Sequence, residues 1–194
     1  MRARSFFIVG MAAGWIAVTA PAAGAQPTGL EVESLEVGQQ APVFVMKEMG
    51  KTDYVFSRDY FGELRQEALM KGLEPRTVIL SFFATWCKPC GEEMPELSRI
   101  ARENADRGVE VLFVNLGDTD QTVRSWLQQH PGIEGKILMD PFAENTKRYG
   151  VDALPRTIII DSTGTVRFIE RGFETEGYRE KVTGALEEVL GSGP

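Results

Sequence analysis

The chain has 194 residues, 43% hydrophobic and 25% charged, with 20 glycines and 10 prolines; this is the composition of one soluble domain and excludes fibrous or low-complexity classes. A formal net charge of −7 argues against nucleic acid as a partner, because phosphate binding needs a concentrated basic surface. The only two cysteines lie together in one C-x-x-C, which excludes a scaffold stapled by several disulfides.

Residues 1–25 read as a secretory signal peptide: Arg2 and Arg4, an apolar run from Phe6 to Ala20, and the small-residue ending Ala23-Gly24-Ala25. Cleavage is expected after Ala25, leaving a more acidic mature chain. The alternative is an uncleaved membrane anchor, for which the run is rather short. Residues 26–37 read as a flexible tether, and the domain is expected to span 38–194.

Phe44 and the pair Tyr54 and Phe56 sit in short runs separated by Gly50-Lys51, which predicts an N-terminal hairpin. Phe61 to Pro75 reads equally as helix or loop. Thr77 to Phe83 is a nearly continuous apolar run, the pattern of a strand covered on both faces, and it leads directly into the cysteine motif. From Pro89 to Asn104 the residues Cys90, Met94, Leu97, Ile100 and Ala101 recur at helical spacing, and a kink is expected at Pro95, which cannot donate to the carbonyl of Gly91. A second strand over Val109–Asn115 follows Gly108. Asp118-Thr119-Asp120 are capping candidates for a helix carrying Val123, Trp126 and Leu127. This alternation implies parallel strands joined by helical crossovers. Lys136–Met139 is expected as a strand, and Ala143–Tyr149 as a short helix closed by Gly150. Arg156–Asp161 and Val166–Glu170 are expected to form an antiparallel hairpin turning at Ser162-Thr163-Gly164. Thr175–Leu190 is read as a closing amphipathic helix with Tyr178, Val182, Ala185, Leu186 and Val189 on one side.

The motif Trp86-Cys87-Lys88-Pro89-Cys90 carries the chemistry. Disulfide exchange needs a thiolate that attacks and a second thiol that resolves the mixed disulfide. A C-x-x-C at a helix start supplies both, since the N-terminal N–H groups and dipole favour a thiolate there. Cys87 is therefore the candidate nucleophile and Cys90, one turn in, the resolving thiol of a redox-active disulfide. Lys88 either adds to the positive field or points into solvent. A zinc site lacks ligands, with only His130 beyond the pair. Covalent haem attachment requires C-x-x-C-H, whereas Gly91 follows Cys90. An inert structural disulfide is the remaining alternative; it would close only a tiny loop.

Glu93 lies three residues after Cys90, beside the buried stripe of its helix. Buried there, it would have a raised pKa and could accept the proton of Cys90 during resolution. The alternative turns it to the surface with Glu92 and Glu96. Trp126 is read as core, and His130, before Pro131, as a helix-end or solvent residue.

The run Phe82 to Cys90, with Glu93, Met94 and Pro95, resembles the TlpA/ResA branch of the thioredoxin superfamily, related to the AhpC/TSA and redoxin proteins. Gly38-x-x-Ala41-Pro42-x-Phe44 and Gly150-Val151-x-x-Leu154-Pro155-Arg156-Thr157 extend the resemblance from about Gly38 to the C-terminus. It implies an α/β thioredoxin fold: a central mixed β-sheet flanked by helices, with an N-terminal hairpin and an inserted βα element. It also implies a cis bond at Pro155 opposite the cysteines, which the sequence alone does not choose, and an assisting role for Glu93. Ser81 stands where thioredoxin keeps a buried aspartate, which moves the proton role to Glu93. Arg156 departs from the small or polar residue usual after the proline, so substrate preference is open.

Trp86, Lys88, Pro89, Leu154 and Pro155 are expected to dock the substrate, with Trp86 either covering the Cys87 sulfur or packing on the sheet. The resulting expectation is an exported, periplasmic, monomeric thiol-disulfide oxidoreductase, without metal or other cofactor. Protein disulfides would be its substrates and a membrane thiol reductant its electron source, with cytochrome c maturation as one family use. The rivals are a thiol peroxidase of the same fold and a metal-delivery protein using the two thiolates with His130.

Overall fold

A computed structural model describes residues 34–61 and 76–191, all within the compact unit Val32–Pro194. Residues 1–25, expected as a signal peptide, most of the expected tether and the stretch from 62 to 75 lie outside the described residues.

The described chain runs β1 (Val45–Glu48), β2 (Tyr54–Phe56), β3 (Thr77–Phe83), α1 (Lys88–Glu103), β4 (Val109–Leu116), α2 (Asp120–Gln129), β5 (Lys136–Asp140), α3 (Glu144–Arg148), β6 (Arg156–Ile160), β7 (Val166–Arg171) and α4 (Tyr178–Gly191). Seven strands form one sheet in the order β2-β1-β5-β4-β3-β6-β7. Strands β3, β4 and β5 are mutually parallel, and the pairs β1–β2, β1–β5, β3–β6 and β6–β7 are antiparallel. This is the mixed sheet expected. Between β4 and β6 the chain adds β5, which joins the N-terminal hairpin to the parallel strands.

Every residue of β3 is buried, as its unbroken apolar run requires. Its side chains alternate between two cores. Ile79 and Phe83 join Met94, Leu97 and Ile100 of α1, Val123 of α2, and Tyr178, Val182 and Leu186 of α4. Val78, Leu80 and Phe82 meet Phe44, Met46, Leu138 and Tyr149 on the opposite face. Fully burying such a side chain contributes about 1.5–3 kcal/mol, so a polar residue on this strand needs a specific partner. Ser81, on the face of α1, has one.

Local signals account for the element ends. Thr119 caps α2, its Oγ1 accepting from the Thr122 N–H at 3.2 Å. Asp161 turns β6 into β7 by accepting from the N–H groups of Thr163 and Thr165 at 2.8 and 3.0 Å, an Asx-type turn. The last helix begins later than its periodicity predicts, at Tyr178 after Gly177 with φ +77°; that backbone conformation breaks the helix and favours glycine. Ala185 and Val189 are partly buried against the core rather than inside it.

Candidate active site

The loop after β3 delivers the cysteines to the start of α1. Cys87 is the N-cap residue, in extended conformation and with no side-chain capping bond; Pro89 falls in the first turn, which also lacks acidic residues. A proline is tolerated there because its missing N–H would have no intrahelical partner. Cys87 and Cys90 are joined in a disulfide with Cα atoms 5.4 Å apart. Cys87 is 5% exposed and Cys90 0%, so an incoming disulfide meets Cys87 first. The free N–H groups and dipole of α1 then favour the Cys87 thiolate in the reduced pair. Trp86 is 72% exposed and so does not pack on the sheet, while Lys88 and Pro89 are also exposed.

Glu93 is fully buried and does not turn to the surface with its neighbours. Its Oε2 accepts from Ser81 Oγ at 3.0 Å, and its Oε1 from Thr157 Oγ1 at 2.8 Å and from Tyr178 Oη. Burial pushes the carboxyl up to about 7, with the three hydroxyl donors pulling the other way. A group titrating there exchanges protons readily at neutral pH. α1 continues through Pro95.

The second wall comes from the loop before β6. The Leu154–Pro155 bond is cis. Antiparallel pairing matches Ser81 with Thr157 and Phe82 with Arg156, so the same register sets Pro155 level with Phe83, at the end of β3 that leads to Cys87. Leu154 is half-buried and touches both cores. Arg156 faces away from Glu93 and is 2% exposed. Its Nη2 pairs with Asp152, which also bonds Arg171 at 3.5 Å. Burial and the facing Arg171 hold the Arg156 guanidinium below its ordinary pKa. Its Nε finds no partner among the described residues.

Several contacts at the site escape a reading by motif. Asp118 holds the cysteine loop, accepting from Thr85 N–H at 2.8 Å and Thr85 Oγ1 at 3.0 Å, and from Asn115 Nδ2 at 2.9 Å. Trp126, expected in the core, is half-buried at its rim, tilted against Phe83 at 5.5 Å and stacked on His130 at 4.0 Å. His130 does end α2, but its ring is not a free solvent group: Nδ1 lies 2.8 Å from the Trp126 carbonyl oxygen and the imidazole packs on Gly91. Among the described residues no cluster of three or more His, Cys, Asp or Glu is placed to hold a metal ion.

Comparison with known proteins agrees with this geometry. The model of the AhpC/TSA family matches residues 37–169. Over 156 residues the chain is 30% identical to the thiol-disulfide oxidoreductase ResA of Bacillus thuringiensis (strain Al Hakam), covering 78% of this chain and 81% of that protein. It is 33% identical over 146 residues to ResA of Geobacillus thermodenitrificans (strain NG80-2), covering 75% of each. The crystal structure of a candidate thiol:disulfide interchange protein DsbE from Chlorobium tepidum superposes with a TM-score of 0.68 at 27% identity, over 81% of this chain and 99% of that one. The chain belongs to the AhpC/TSA family, among the ResA-type thiol-disulfide oxidoreductases of the thioredoxin fold.

Proposed function

We propose that this oxidoreductase works outside the cytoplasm as a reductant of protein disulfides, with residues 1–25 as a cleaved signal, 26–37 as a tether and the catalytic domain from 38 onward. The observation that carries the reading is the unequal pair at the start of α1, with the buried Glu93 one turn beyond its inner member. The Cys87 thiolate attacks one sulfur of the substrate disulfide; that bond breaks, and the departing thiolate takes a proton from solvent. Cys90 then loses its proton to the Glu93 carboxylate, and its sulfur attacks Cys87 Sγ. The Cys87–Cys90 disulfide forms as the second substrate thiolate leaves. The substrate gains two electrons and the pair loses two.

Trp86, Lys88 and Pro89, next to Cys87 in the chain, and Leu154 with the cis Pro155 would seat the substrate chain. The exposed indole and half-buried leucine suit an apolar segment next to a cysteine. A membrane thiol reductant would return the pair to its dithiol form, and apocytochrome c is one client whose chemistry fits. A monomer suffices, since one chain supplies every group named.

The reduction potential of the pair tests the direction of electron flow. Equilibration of the domain with thiol buffers is expected to give a value near that of thioredoxin, about −270 mV. A value near that of a strong oxidant, about −120 mV, would overturn the reductant assignment. For cleavage of the signal, N-terminal sequencing of the protein recovered from cells is expected to begin after Ala25; an intact Met1 end would overturn cleavage and leave the membrane-anchored form.

A further inference from the structure

Glu93 is held by more than its own helix. Ser81 from β3, Thr157 from β6 and Tyr178 from α4 each commit a hydroxyl to its carboxylate, and the last two hydroxyls also lie 3.0 Å from each other. Tyr178 stands 85 residues from Glu93 and is 2% exposed. Its ring is fixed edge-on against Phe173, with centroids 4.8 Å apart. A buried tyrosine hydroxyl needs some partner. That need alone does not explain why three separate elements converge on one carboxylate.

Electrostatics supplies the reason. Burial favours the neutral acid, and the charged residue acting on Glu93 from the surrounding elements is Glu170 of β7, which pushes the same way. Lys181 of α4 pairs with Glu170 at 3.0 Å and offsets part of its charge, while no cation acts directly on Glu93 among its described neighbours. Donated hydrogen bonds oppose the upward push, because they stabilise the ionised form, and Tyr178 contributes most, then Thr157, then Ser81. Resting on the reading of Glu93 as acceptor of the Cys90 proton, we propose that Tyr178 is a positioning residue for disulfide exchange: its hydroxyl, assisted by that of Thr157, fixes Oε1 of Glu93 and keeps the carboxylate available as a base at neutral pH.

The test uses the reduced full-length protein mixed rapidly with 5,5′-dithiobis(2-nitrobenzoate). The first release of thionitrobenzoate reports attack by Cys87, and the second reports resolution by Cys90. In Tyr178→Phe the acid limb of the second phase is expected to move up by about one pH unit. Resolution at pH 7 is then several-fold slower, recovers at higher pH, and leaves the first phase unchanged. Thr157→Val is expected to shift the limb in the same direction by less, and Tyr178→Phe in the Glu93→Gln background not to shift it. A wild-type profile in Tyr178→Phe, slowing that is equal at every pH, or a shift that persists without Glu93 would each overturn the proposal. A wild-type second phase in Glu93→Gln alone would instead remove the base role on which the proposal rests. Should Tyr178→Phe fail to fold, 3,5-difluorotyrosine at position 178, a stronger donor of the same shape, is expected to move the limb to lower pH; an unmoved limb would overturn the proposal.

Discussion

The imidazole of His130 fills the space beside Gly91 in which a side chain would begin: a Cβ there would lie 2.7 Å from Cδ2 and 2.8 Å from Nε2. The ring has no easy retreat, since it stacks on Trp126 and its Nδ1 is engaged by the Trp126 carbonyl oxygen. The residue after Cys90 is therefore a glycine for reasons of contact, and α2 is keyed into the helix that carries the cysteines.

Gly91→Ala is accordingly expected to destabilise the fold by about 1–3 kcal/mol, the usual effect of overpacking, although alanine is the better helix former. Denaturant unfolding of the single variant and of Gly91→Ala with His130→Ala measures it. The second change should restore much of the loss; a stable single variant would show that the ring moves aside freely.

The clamp of Asp118 on Thr85 sets the loop that ends at Cys87. Removing the carboxylate in Asp118→Ala strands the Thr85 N–H and frees Asn115 Nδ2, at a cost of about 1–3 kcal/mol. Attack by Cys87 on a disulfide is expected to slow on the order of tenfold or more, because a displaced nucleophile forfeits much of its orientation. Comparing rates for Asp118→Asn and Asp118→Ala checks this. The asparagine variant keeps an acceptor oxygen and should fall between wild type and alanine.

Burial of Glu93 has a consequence for stability. Its folded pKa, about 7, lies above its ordinary value of 4.5, so the folded state binds the proton more tightly than the unfolded one. Stability is therefore expected to fall as pH rises from 4.5 to 7 and then to level off. At about 1.4 kcal/mol per pH unit, the loss from this group is roughly 3 kcal/mol. Glu93→Gln should lack this component and be the more stable protein at pH 8. Denaturation midpoints of the two proteins between pH 4.5 and 8 decide it; parallel curves would mean that the carboxylate is not held as described.

What was legible in the sequence follows from what was local. The apolar run of β3, the C-x-x-C and the caps of α2 are short-range patterns, and each lies where periodicity and turn chemistry predict. The cis bond at Pro155 came through the family resemblance, because neither isomer of an X–Pro bond has a local signature. Glu93 was ambiguous because helical spacing puts it at the edge of a buried stripe, and the hydroxyls that draw it inward come from β3, β6 and α4. Tyr178 read as one more apolar position of an amphipathic helix, since nothing near it names its partner. His130 ends α2 and Trp126 packs against the core, as the spacing predicts; what spacing does not give is depth, since it fixes the face of a helix but not the neighbour that face meets, here Gly91 on α1.

The measurement that reaches the central claim most directly is trapping by the inner-cysteine variant. Cys90→Ser, reduced and mixed with a disulfide-bonded protein substrate, is expected to accumulate a mixed disulfide through Cys87, visible as a covalent adduct by mass spectrometry and released by dithiothreitol. Cys87→Ser should form none and should lose exchange activity. An adduct on Cys90 in Cys87→Ser, with undiminished turnover, would contradict the assignment of Cys87 as the attacking thiol.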